Sequence, residues 1–181
     1  GEMGIGNTTT TAALACVLAG IAPDEAVGRG AGLDAAGLER KRLAVARSLE
    51  VNDPCARDVV GAIAAVGGCD IAAMCGFYLG AASCGVPVVL DGVISCVAAL
   101  CARRLCPQAA GYMLASHVSQ EPAARVLLDQ LGLRAPIAAG MHLGEGTGAM
   151  AVLPLLDAAV EVYRGCITFE QSGMDAYKVL E

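Results

Sequence analysis

Apolar residues run through this chain in alanine-rich blocks broken by glycine turns, and the blocks predict mostly helices. Thr8 to Leu18 reads as a helix with a threonine cap, ended by Gly20. Pro23-Asp24-Glu25 starts a short turn or helix, and Asp34 caps a long helix to about Leu49, with apolar Leu38, Leu43, Val45, Ala46 and Leu49. Arg57 to Val66 is a helix stopped by Gly67-Gly68, and Asp70 to Ala82 is another. Val86 to Leu90 is a short apolar run that reads as a buried strand. Helix Val93 to Leu105, strand Gly111 to Ala115, a helix opened by Glu121-Pro122 and running to Leu131, a short strand or turn at Ile137 to Ala139, and a last long helix, Met150 to Val162, complete the order. Strands alternating with helices predict an α/β fold, a Rossmann-like parallel sheet flanked by helices. The whole of 1–181 reads as one such domain, its last helices candidates for a small helical subdomain.

Ile71 to Leu90 carries no formal charge over twenty residues, the length of a membrane span. Gly76, Gly80 and Gly85 interrupt it and Pro87 follows, so an internal helix leading into a buried strand accounts for it without lipid. Aromatic residues are only 3% of the chain against 56% hydrophobic residues, so the core must be built from Ala, Val, Leu and Ile. A net charge of −6 argues against a nucleic-acid surface, which needs a basic stripe. Nine cysteines, with no C-x-x-C pair and most in apolar runs, read as buried free thiols in a reducing compartment. With no basic segment leading into an apolar one at the start, the expected location is the cytoplasm.

The candidate chemistry sits in the turns. Gly1-Glu2-Met3-Gly4-Ile5-Gly6-Asn7 and Gly144-Glu145-Gly146-Thr147-Gly148 are both glycine turns that hold one carboxylate and run into an apolar helix. Glycine lets backbone N–H groups approach a ligand, and a helix N-terminus favours anions. A carboxylate there repels phosphate, so it suits work on a proton or a developing positive charge. Asp91-Gly92, Ser116-His117 and the second glycine turn all fall at or beyond strand ends, where α/β folds collect ligands. Asp91 suits either a sugar hydroxyl or a turn with Gly92. Lys41 lies in Arg40-Lys41-Arg42, a run that suits phosphate or solvent equally. His117 suits a structural hydrogen bond better than proton transfer.

Six segments in register resemble one family: the two glycine turns, Val27-Gly28-Arg29-Gly30-Ala31-Gly32-Leu33-Asp34, Val66-Gly67-Gly68, Pro87-Val88-Val89-Leu90-Asp91-Gly92 and Ala115-Ser116-His117-Val118-Ser119-Gln120-Glu121-Pro122. Together they are similar to the nicotinate-nucleotide:dimethylbenzimidazole phosphoribosyltransferases of cobalamin synthesis, and the chain corresponds to the C-terminal half of that longer, homodimeric fold. The resemblance implies transfer of phosphoribose from nicotinate mononucleotide to a benzimidazole-type base, without metal or other cofactor, with inversion at the anomeric carbon. It implies that Glu145 is the general base and Glu2 a second active-site acid. Gly4, Gly6, Asn7, Gly30 and Lys41 are the places to seek phosphate. Ser116, Ser119, Asp91, Gly92, Gly144 and Gly146 are further substrate-site candidates. His142 stands where the family pattern has arginine, and Ala123-Ala124 where glycine is common. The competing reading is a non-catalytic mononucleotide-binding module. A dinucleotide oxidoreductase fits less well, because G-x-G-x-x-G between strand and helix is not met.

Overall fold

A computed structural model describes residues 1–175. Its helices are α1 (Asn7–Ala19), α2 (Pro23–Ala26), α3 (Ala35–Asn52), α4 (Val59–Val66), α5 (Cys69–Ser83), α6 (Val93–Leu105), α7 (Ala124–Leu131), α8 (Thr147–Gly165) and α9 (Phe169–Ser172). The strands are β1 (Val88–Leu90) and β2 (Met113–Ala115). They pair in parallel, Val88 with Met113 and Leu90 with Ala115, and α6 crosses between them. The expected α/β class with a parallel sheet is therefore present, but among the described residues the sheet is only two strands wide. A parallel bridge from His117 to Ile137 extends it by one position, where the sequence predicted a short strand or turn.

Two helices form the centre. In α6 every residue from Val93 to Ala102 is buried, because its composition is small and apolar all round. In α1 buried Ala12, Ala13, Leu14 and Ala15 let neighbouring helices approach closely. α1 packs on α3 and α6, and α6 packs on α5 and α7. The predicted threonine cap of α1 is not formed: Gly6 is its N-cap, with no side-chain bond, and the helix starts at Asn7. Asp34 caps α3 as expected, accepting from the Gly37 amide at 2.6 Å. The predicted strand from Gly111 is shortened to Met113–Ala115, because Pro107–Tyr112 winds into a 3-10 turn first.

The uncharged Ile71 to Leu90 run resolves into α5, a turn and β1, and no described helix is long and apolar enough to cross a membrane. The cysteines are all free, but only Cys16, Cys75, Cys96 and Cys101 are buried. Cys55, Cys69, Cys84 and Cys166 are exposed because they fall in loops or at helix ends rather than on core faces. α8 begins earlier than predicted and leaves most of its length uncovered: its buried residues are Gly148 and Val152, while Met150, Leu155 and Val162 are at least half exposed.

Candidate active site

The two carboxylate turns, far apart in the sequence, lie against each other. The Glu145 amide donates to the Glu2 carbonyl at 2.8 Å. Glycine makes this approach possible: a Cβ on Gly144 would stand 2.8 Å from that carbonyl oxygen, and one on Gly1 would overlap the backbone of Gly146. Glu145 itself is left-handed, at φ 58°, a conformation that costs a non-glycine residue about 1–3 kcal/mol. Its side chain is exposed at the mouth of the site.

What holds the second turn is Asp91. This residue follows β1 and is 2% exposed. Its Oδ2 accepts from the Gly146 amide at 2.9 Å, and its Oδ1 from Gly148 at 2.8 Å and Ala149 at 3.3 Å. α8 has no cap from its own N-terminal residue, so a carboxylate at the positive end of the helix dipole comes from another element. Both Asp91 oxygens are thus engaged by the start of α8, and the residue, expected to hold a sugar hydroxyl or to form a turn with Gly92, also lines the cavity of the site.

The first turn is tied by Asn7, whose Nδ2 donates to Glu2 Oε2 at 3.0 Å and to Asp70 Oδ2 at 2.7 Å. The amide group thus separates two carboxylates that would otherwise face each other. Asp70 was not anticipated; its place in the first turn of α5, after Gly67-Gly68, was the available signal.

Lys41 is not on a solvated face. α3 buries a stripe at four-residue spacing, Gly37, Lys41 and Val45, and Lys41 is its polar member. Its Nζ donates to Thr8 Oγ1 at 2.9 Å and to the Gly28 carbonyl at 3.0 Å. Burial lowers its pKa, with the Glu121 carboxylate pulling the other way. Gly30, left-handed at φ 53°, packs where a Cβ would be 2.9 Å from Thr8 Oγ1. Its amide already donates to Glu121 Oε1 at 3.1 Å. Phosphate would therefore meet an occupied amide at Gly30.

These parts surround a cavity of about 830 Å³. Of the predicted residues, Glu2, Gly4, Gly30, Asp91, Gly92, Ser119, Gly144 and Glu145 line it. Gly6, Asn7, Lys41, Ser116 and Gly146 do not; Asn7, Lys41, Ser116 and Gly146 reach it through hydrogen bonds to neighbours. Arg29, Arg42 and Glu121 also line it and were missed, their signal being the charge inside the Gly28 to Gly32 cluster, the Arg40-Lys41-Arg42 run and the acid before Pro122. His117 is 3% exposed, with Nδ1 3.0 Å from Ser116 Oγ. Burial lowers its pKa against the opposing pull of Asp91.

A parallel strand pair joined by a helical crossover, with a cavity beside the carboxyl end of β1 where Asp91 and Gly92 lie, defines a protein of the α/β class with a cavity where such folds collect ligands. A family model described as phosphoribosyltransferase matches residues 1–174, and the chain belongs to that family. It is 45% identical over 174 residues to the nicotinate-nucleotide–dimethylbenzimidazole phosphoribosyltransferase of Desulforamulus reducens, covering 96% of this chain and 50% of that one. To the protein of the same name from Salinispora tropica it is 47% identical, covering 96% and 48% respectively. The crystal structure of CobT from Thermus thermophilus matches with a TM-score of 0.89 at 42% identity, over 98% of this chain and 53% of that chain. The chain thus spans about half the length of the curated relatives it matches.

Proposed function

We propose that this chain carries the phosphoribosyl site and the general base of an enzyme that moves phosphoribose from nicotinate mononucleotide to 5,6-dimethylbenzimidazole or a related azole. One azole nitrogen forms a bond to the anomeric carbon as the bond to the nicotinate ring nitrogen breaks. The bonding pair leaves with nicotinate and neutralises its pyridinium charge. The azole becomes cationic as it attacks, and Glu145 takes the N–H proton, leaving α-ribazole 5′-phosphate. The observation that carries this reading is the Glu145 to Glu2 backbone bond, which brings both carboxylate turns to one cavity. The names of the relatives support the substrates.

Within this reading Glu2 adds negative potential beside the base. Gly4, Gly6 and Asn7 offer the N-terminus of α1 to the phosphate, while Lys41 and Gly30, already engaged by Thr8, Gly28 and Glu121, hold the neighbouring loop in place. Ser119 and Gly92 border the sugar, and buried Ser116 stands behind His117 at the cavity wall. Gly144 and Gly146 set the turn, and Asp91 fixes it. The enzyme works in the cytoplasm as a homodimer; the free cysteines and the uncovered apolar residues of α8 support these assignments.

The test is α-ribazole phosphate formation by the chain supplied with both substrates, with and without Glu145→Gln. A general base contributes about 10²–10⁴-fold, so turnover within about tenfold of the unsubstituted chain sinks the role. The partial coverage of the relatives favours one competing reading, a mononucleotide-binding module. Calorimetric binding of nicotinate mononucleotide with no product under any condition selects that reading instead.

A further inference from the structure

We infer that His117 is a positioning residue for Glu145: its ring is the spacer between the end of β2 and the first turn of α8. The inference rests on Glu145 being the proton acceptor proposed above. Three observations converge on it.

First, the backbone around His117 is fixed on both sides. The Ser116 amide donates to the Leu90 carbonyl at 3.2 Å on the β1 side. On the other side the Ile137 amide donates to the Ser116 carbonyl at 3.3 Å, and the Val118 amide donates to the Ile137 carbonyl at 2.9 Å. The ring therefore leaves a rigid strand end.

Second, the ring's protonation pattern follows from its partners. Ser116 Oγ lies 3.3 Å from the Asp91 backbone carbonyl, which can only accept, so the Ser116 hydroxyl hydrogen is spent there. The Ser116 oxygen, 3.0 Å from His117 Nδ1, is then left to accept, and Nδ1 carries the hydrogen. The relay runs from His117 Nδ1–H to Ser116 Oγ–H to the carbonyl of the residue that caps α8. A neutral ring also suits its position, since an imidazolium beside a helix N-terminus would oppose the dipole.

Third, α8 rests directly on the ring. A Cβ added to Gly148 would overlap His117 Nδ1 and would stand 2.9 Å from Asp91 Oδ1. Gly148 is buried in the first turn of α8, three residues after Glu145. Asp91 thus holds this turn by hydrogen bonds, while His117 limits how far it can sink toward β2. Truncating the ring leaves a gap into which the turn can move, and a displacement of about 1 Å at a catalytic group can cost roughly 10²-fold.

Three measurements on the full chain test this. In the unsubstituted protein, long-range ¹H–¹⁵N spectra should show the Nδ1–H tautomer of His117 at pH 7; an Nε2–H or doubly protonated ring overturns the relay. In His117→Ala, the Gly146, Gly148 and Ala149 amides should exchange at least about tenfold faster while the Leu127 amide in the core is unchanged. His117→Asn, which keeps a donor near the Nδ1 position, should restore protection. Equal exchange in all three proteins overturns the proposal. Should His117→Ala fail to fold, the tautomer and the Asn variant still decide it. In the transferase assay, His117→Ala should lower kcat by about 10–100-fold with little change in KM, yet by less than about 3-fold when Glu145→Gln is already present. Equal losses in both backgrounds would mean a general structural role and overturn the proposal. Full turnover of Glu145→Gln would instead end the general-base reading, while tautomer and exchange would still report on the spacer.

Discussion

Replacing Asp91 with alanine should be among the most costly single changes in this protein. The carboxylate is 2% exposed and accepts three amides from the start of α8, two of them at 2.8 and 2.9 Å. Hydrogen bonds to a charged group contribute about 1.5–3 kcal/mol each, so the two short ones amount to about 3–6 kcal/mol. The Gly146 and Ala149 amides are only half-buried, and water can partly replace the carboxylate there. Gly148 is buried and would be left without an acceptor. A net loss of about 3 kcal/mol is expected, or a fall in Tm of roughly 6–12 °C for a chain of this size. Asp91→Asn should recover only part of this, because one amide hydrogen-bond acceptor is replaced by a donor facing an N–H. Urea unfolding with a common m-value measures both. The internal yardstick is Asp58→Ala, which removes an exposed cap on α4 that accepts from Gly61 at 2.8 Å and should cost about 1 kcal/mol. If Asp91→Ala costs no more than Asp58→Ala, the long-range cap is not what secures α8.

The pKa of His117 lies below its ordinary value, so the unfolded chain binds more protons in that range; stability should fall as pH drops below about 6.5 and this part of the loss should vanish in His117→Asn, measured by urea titration at several pH values. Asn7→Asp should destabilise more than Asn7→Ala at neutral pH, because it sets a third carboxylate against Glu2 and Asp70; the excess should shrink on acidification, and an excess that persists there refutes the electrostatic cause. In the folded protein a thiol reagent should modify Cys55, Cys69, Cys84 and Cys166 quickly. Cys16, whose thiol burial pushes up to about 11, and Cys96 and Cys101, pushed up to about 12, should react only on unfolding; mass spectrometry of the modified sites checks the order.

Most of the helices were legible because their signals are local. Asp34 before an apolar stripe, and the left-handed glycines Gly20 and Gly132 after one, act within a few residues of the boundary they mark. The β1 strand, uncharged and ended by Asp91-Gly92, was expected from Val86 but starts only at Val88, because Pro87 has no N–H to pair and Val86 is exposed. The failures were of two kinds. Some came from local competition: Pro107 starts a 3-10 turn that takes the first residues of the expected strand. Others are long-range and leave no local trace. Nothing around Asp91 states that its carboxylate is bound by amides 55 or more residues later. Lys41 is another such case. Its neighbours in sequence suggest a solvated basic run, and its place on the buried Gly37, Lys41 and Val45 stripe of α3 emerges only from the structure. The two glycine turns carry the same chemistry in the sequence, but the backbone bond that joins them leaves no local trace.

The left-handed backbone of Glu145 has a consequence for any effort to make this protein tougher. At φ 58° the position is one that glycine or asparagine occupies with less strain than glutamate. A library selected only for heat resistance should therefore enrich Glu145→Gly and Glu145→Asn, the changes that remove the proposed base. Survivors of such a selection would fold better and turn over less. At this one residue, the sequence most compatible with the backbone and the sequence required by the chemistry point in opposite directions.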